Sequence, residues 1–182
     1  DNQTAAIAVA LGEALRPEFK KYSEQIVRNS KALAKSLMDN GIKLVTNGTD
    51  NHMMLIDLTP FGKGTGVFVQ EALEEANITV NKNTIPAEPA SPFYPSGIRL
   101  GTPAITTRGM KEKEMRIIGK WIADIIKEVE DFELPEDKEE KGRYIKDFKE
   151  KIMENDKIAK IKNEVVELCK KFPLYPMFDI LK

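Results

Sequence analysis

The chain predicts an α/β fold, a small sheet of three to four strands covered by helices. Four short apolar runs, "IKLVT" (42–46), "HMMLIDL" (52–58), "ITVN" (78–81) and "GIRLG" (97–101), are too short for helices and are bounded by Gly, Pro or Asn. Longer stretches around them repeat apolar residues at helical spacing. The order helix, strand, strand, helix, strand, strand, helix is that of a sheet whose apolar side is closed by helices. A length of 182 residues suits one compact domain with an appendage.

Each element has its own signal. Residues 4–16 are good helix formers, and Pro17 suits a kink or a new first turn. The abrupt start of that helix predicts that Asp1 is a cut inside a longer polypeptide. Phe19, Tyr22, Ile26, Leu33 and Leu37 mark one face of a helix over 18–40, with Gly41 as its stop. Strands are expected at 42–46 and 53–58, separated by the turn "NGTDN". "PFGKGTG" (60–66) reads as a flexible loop before a helix over 67–77 that carries Phe68, Ala72 and Leu73 on one side. Strands at 78–81 and 97–100 complete the sheet.

Met115, Ile118, Ile122, Ile125, Ile126 and Val129 then form a wide apolar stripe on a helix over 111–131. That helix and 18–40 are predicted to pack on a common face. The charged stretch 133–157 reads as a linker plus a solvated helix, a surface insertion. The last helix places Ile158, Ile161, Val165, Leu168 and Phe172 on one face, and "FPLYPMF" ends in an extended segment. The expected divisions are therefore 1–17, 18–132, 133–157 and 158–182.

Composition excludes several classes of function. A net charge of −1 lacks the basic excess of a nucleic-acid binder. No apolar stretch approaches the length of a membrane span. The single cysteine, Cys169, rules out an internal disulfide framework and fits a reducing, cytoplasmic setting; its helical-face spacing with Leu168 and Phe172 reads as core. The single histidine, His52, excludes two-histidine metal motifs, and no metal site is expected. At a strand start it reads as a hydrogen-bonded structural residue. "GKGTG" lacks the spacing of a phosphate loop.

Two features remain. Residues 81–109 are rigid and mostly uncharged, with Pro86, Pro89, Pro92 and Pro95 in close succession and Pro103 soon after. Within them Arg99 interrupts the apolar run "GIRLG" between Gly97 and Gly101. A guanidinium is costly to bury without an anion, and its planar fork suits a carboxylate. Spacing alone leaves two readings of Arg99: a ligand-binding group, or a structural ion pair with an acid such as Asp57.

The segments "GTDNHMMLIDL", "ANITVNKNTIP" and "SPFYPSGIRLGTPAITTRG", in that order, resemble the carboxy-terminal part of serine hydroxymethyltransferase (glycine hydroxymethyltransferase), and the resemblance runs from Asp1 to "CKKFPLYP". It implies the small carboxy-terminal domain of a homodimeric fold-type I enzyme that uses pyridoxal 5'-phosphate. Such an enzyme moves a one-carbon unit from serine to tetrahydrofolate, giving glycine and 5,10-methylenetetrahydrofolate. Residues 1–17 would then end a helix connecting to a large domain. Arg99 in "SGIRLGTP" matches the arginine that grips the substrate carboxylate. Asn83, the second asparagine of "NKN", matches the residue that hydrogen-bonds the pterin, and Ser91, Pro92 and Phe93 match the folate-contacting turn. That favours the ligand-binding reading of Arg99. The lysine that forms the Schiff base with the cofactor has no counterpart, because the only histidine is followed by Met53. The stretch alone is therefore expected to be inactive. "FYPSG" also departs from the threonine-containing form of the family. Two alternatives are a free-standing module that binds small carboxylates through Arg99, and a domain of another fold-type I enzyme such as an aminotransferase. "NKN" with "SPF" argues against the latter, which has no pterin to hold.

Overall fold

A computed structural model describes residues 1–174 of the chain, apart from the side chains of residues 138 and 139. It is an α/β structure with a three-stranded antiparallel sheet, in the spatial order β1 (Met53–Asp57), β3 (Gly97–Gly101), β2 (Asn81–Asn83). Seven α-helices lie among the described residues. They are α1 (Asn2–Ala14), α2 (Pro17–Asp39), α3 (Gly66–Glu75), α4 (Pro103–Thr107), α5 (Glu112–Glu128), α6 (Lys138–Met153) and α7 (Asp156–Lys171).

Strand alternation assigns the two faces of the sheet. Met54 and Ile56 of β1 pair with Leu100 and Ile98 of β3, and all four are buried in one core. Leu33, Ala34 and Leu37 of α2 join that core, with Phe68, Ala72 and Leu73 of α3 and Met115, Ile122 and Ile126 of α5. The two long helices therefore cover a common face, as their stripes predict. Behind β3, Asn29 of α2 donates to the Thr106 hydroxyl (2.8 Å) and the Met110 carbonyl (2.9 Å), while the Thr102 hydroxyl donates to the Ile26 carbonyl (2.9 Å). These buried bonds tie α4 to α2.

Four expectations need correction. "IKLVT" is not a strand. Leu44 makes one isolated bridge to Ile56, and the chain then leaves β1 through left-handed backbone at Thr46 and Asn47. "ITVN" joins the sheet only at Asn81, because the chain is still closing α3 before it. Asn77 is left-handed (φ 61°) and the Ile78 amide returns to the Leu73 carbonyl (2.8 Å), a terminating motif of helices. "GKGTG" is not a free loop, since Gly64, Thr65 and Gly66 are buried. A Cβ at Gly66 would lie 2.5 Å from the Pro95 carbonyl oxygen and 2.7 Å from that of Gly97, so only glycine lets this turn press against the end of the proline-rich loop.

The stretch 133–157 is the fourth. Its helix α6 is not solvated all round, because Phe148 is only 1% exposed and packs on Phe68 and Phe132 with ring centroids 4.8 and 4.7 Å away. Asn155 then caps α7, accepting from the amides of Lys157 and Ile158, and donates to Glu128 at the end of α5 (2.9 Å). On α7, Ile158, Ile161 and Val165 are buried and Leu168 and Phe172 partly so. The rest of the expected tail, 175–182, lies outside the described residues. By contrast α1 buries none of its residues, with Ile7, Val9 and Leu11 all exposed. Among the described residues no helix is long and apolar enough to cross a membrane.

Candidate functional site

The same alternation that buries Ile98 and Leu100 turns Arg99 to the other side of the sheet, where it is exposed. Register places Leu55 directly opposite it on β1 and Asn81 on β2. Their side chains share one face, with adjacent Cβ atoms about 4.5–5.5 Å apart. Asn83 pairs with Gly97 and lies on this face two residues along, the diagonal neighbour of Arg99 at about 7–8 Å. A cation and an amide thus stand side by side.

Arg99 forms no ion pair among the described residues. Asp57, the acid that could have neutralised it, is taken. The Lys43 ammonium lies 2.7 Å from one oxygen, and the other accepts from the Thr59 amide (2.9 Å) and hydroxyl (2.6 Å). Burial alone would raise the Asp57 carboxyl, but the bonds from Lys43 and Thr59 outweigh it and hold the pKa below the ordinary aspartate value. The structural alternative for Arg99 therefore lacks its partner, and the guanidinium fork stays open to a planar anion.

Asn83 donates its side-chain amide to the Thr84 carbonyl (2.6 Å), and its Oδ1 takes no protein donor among the described residues. The chain then curls over the open face. Ile85 lies so close to β3 that a Cβ at Gly97 would meet its Cγ2 at 2.5 Å. Ser91, Pro92 and Phe93 form the exposed tip of the following loop, Phe93 being 80% exposed. The Ser91 hydroxyl accepts from the Phe93 amide (3.3 Å) and its carbonyl from the Tyr94 amide (2.8 Å). Arg99 and Asn83 are brought together on one face; among the described residues the tip makes no hydrogen bond to either.

A residue that sequence reasoning passed over holds this loop. The Glu88 carboxylate accepts from the amides of Ile85 (3.2 Å), Ala90 (3.0 Å) and Ser96 (3.0 Å) and from the Ser96 hydroxyl (2.6 Å). Burial would raise its pKa, but the Ser96 hydroxyl and the three amides lower it below the ordinary glutamate value. The only local signal was an acid set between prolines. The Ser96 hydroxyl also accepts from the Gly64 amide (2.9 Å), joining the loop to the turn before α3.

The other candidates serve structure. His52 is exposed and bonds through its carbonyl, which accepts from the Thr102 amide (3.0 Å), so the hydrogen bonding expected of it belongs to the backbone. Arg108 donates to the Cys169 carbonyl (3.2 Å) near the end of α7, a favourable place for a cation. Cys169 helps line an apolar cavity of about 260 Å³ with Leu100, Trp121 and Val165, on the core side of the sheet. Among the described residues no cluster of His, Cys, Asp or Glu could hold a metal ion.

A model of the serine hydroxymethyltransferase family matches residues 2–122. The serine hydroxymethyltransferase of Methanospirillum hungatei is 48% identical over 172 residues, which are 94% of this chain and 36% of that protein. Those of Alkalilimnicola ehrlichii and Phenylobacterium zucineum are 44% and 46% identical over 171 residues, again 94% of this chain and 35% of each relative. The chain thus spans about a third of the length of these relatives.

Proposed function

This chain belongs to the serine hydroxymethyltransferase family, and on that premise we propose that it is the carboxy-terminal part of a glycine hydroxymethyltransferase. The enzyme would interconvert serine plus tetrahydrofolate with glycine plus 5,10-methylenetetrahydrofolate, as a cytoplasmic homodimer. The observation that carries this reading is the guanidinium of Arg99 on the open face, without an ion pair among the described residues and diagonal to Asn83.

In this reading Arg99 grips the carboxylate of serine or glycine with two parallel N–H donors, which fixes both its position and the plane in which it lies. Asn83 supplies an amide for the edge of the pterin, and Ser91, Pro92 and Phe93 flank the folate. Prolines on either side leave the loop little ordering entropy to lose on binding. Holding the two substrates next to each other is itself catalytic, since it replaces a bimolecular encounter by a fixed geometry.

Family membership also implies pyridoxal 5'-phosphate, and the sheet does not fit it. Lys82 pairs with Ile98 and so lies on the opposite side from Arg99, while Lys43 is engaged by Asp57. We assign the cofactor to residues outside these 182, so this stretch alone would be inactive. Stoichiometric cofactor joined as an imine to a lysine of the isolated stretch would contradict that assignment.

The test is titration of the full-length protein with serine and glycine, alongside turnover, for Arg99→Lys and Arg99→Ala. Each lost charge-assisted bond is worth about 1.5–3 kcal/mol. Losing two predicts roughly hundredfold or greater weakening for Arg99→Ala. Lysine keeps the charge but not the fork and should recover little. Parental serine binding in both variants would reduce Arg99 to a surface cation.

A further inference from the structure

We propose that Glu88 is a positioning residue for the folate co-substrate, an inference that rests on the reading of the site above. Its carboxylate draws in three separated points of one loop: Ile85 at the entry, Ala90 just before the tip, and Ser96 at the exit. Each oxygen takes two donors, the Ile85 and Ser96 amides on one and the Ala90 amide and Ser96 hydroxyl on the other. Ser91, the first residue of the tip, directly follows Ala90, whose amide is held. Next to Glu88 the backbone of Ala87 is left-handed (φ 56°), a conformation that survives only where the surroundings enforce it.

The chemistry requires an ionised acid at this point. All four partners are donors, and among the described residues no lysine or arginine pairs with Glu88, so the group acts as a four-fold acceptor and not as half of a salt bridge. Glutamine could not replace it, because its amide nitrogen would confront a donor whichever way it turned. The bonds stay within residues 85–96, with one link through the Ser96 hydroxyl to Gly64. They stabilise the loop, not the core beneath the sheet. Losing them would release the tip while leaving Arg99 on its strand, so the damage should fall on one substrate only.

The experiment compares Glu88→Gln, Glu88→Asp and Ser96→Ala in the full-length protein, measuring KM for tetrahydrofolate, kcat, and the affinity for glycine in a separate titration. Glu88→Gln should raise the tetrahydrofolate KM by roughly tenfold or more and disturb kcat less. Glycine affinity should stay within about twofold. Glu88→Asp, which keeps four acceptor sites on a shorter stem, should recover part of the loss. Ser96→Ala should show a smaller change in the same direction, and it carries the test if Glu88→Gln does not fold. An unchanged tetrahydrofolate KM in the folded variants overturns the proposal, as does an equal loss of glycine affinity, which would mark a general structural role. If the parent protein binds glycine but no tetrahydrofolate, the folate reading itself fails and the proposal falls with it.

Discussion

Strand β3 presents two faces to two environments, and neighbouring residues on it are under opposite demands. Ile98 has no exposed surface and belongs to the core that the sheet shares with its helical cover. Arg99, the next residue, looks out from the open side between Leu55 and Asn81. The covered face needs volume and apolarity, which several side chains could supply at modest cost. The open face needs one functional group in one place, and its contribution to stability is small.

The largest effect expected from that contrast is at Ile98. Ile98→Ala should cost about 2–5 kcal/mol, because removing buried methyl groups forfeits transfer energy and leaves a cavity. Urea unfolding measures it, and a loss below about 1 kcal/mol would mean that the helical cover collapses onto the gap.

Asp57 should fall between the extremes. Strand alternation puts it on the open face, yet it is buried and held by Lys43 and Thr59. Asp57→Asn should cost about 1–2 kcal/mol, since part of a charge-assisted network is lost. Its folded pKa lies below the ordinary value of 3.8, so the native state favours the ionised form. The stabilisation is complete above that ordinary value and is lost as pH falls through the lower folded one. Midpoints of urea unfolding, measured stepwise down from neutral pH, should therefore drop less steeply below about pH 4 in Asp57→Asn than in the parent. Identical acid limbs would show that the network adds nothing.

The smallest change in stability is expected at Arg99. Arg99→Ala should alter unfolding by no more than about 0.5 kcal/mol, as for surface positions away from special features. The same variant is the one expected to lose serine binding. A large loss of stability would break the contrast between the two faces and restore a structural role for the arginine.

Much of this was legible in the chain. The helical stripes of 18–40 and 111–131 identified the faces that meet the sheet, and the arginine in "GIRLG" stood out among apolar neighbours. Phe148 was harder to see: Tyr144, Ile145, Phe148 and Ile152 do recur at helical spacing, but the lysines and glutamates among them made the helix read as solvated, and the pocket is made by Phe68 and Phe132 from other elements. Glu88 left no pattern either. Three of its four donors are backbone amides, which every residue but proline possesses, and the fourth is a serine eight positions away.

What the sequence by itself determined is local. Alternation in a strand places Arg99 opposite in direction to Ile98 and Leu100, and a period of 3.6 gathers Met115, Ile122 and Ile126 on one side of a helix, because both follow from backbone geometry within a few residues. Tertiary structure alone decided which face of the sheet is covered, that Asp57 pairs with Lys43 and not with Arg99, and that Glu88 clasps both ends of a loop. Those outcomes depend on which distant groups arrive at a given point in space. A hydrogen bond or a packed ring is specified by that arrival, and no short stretch of chain encodes it.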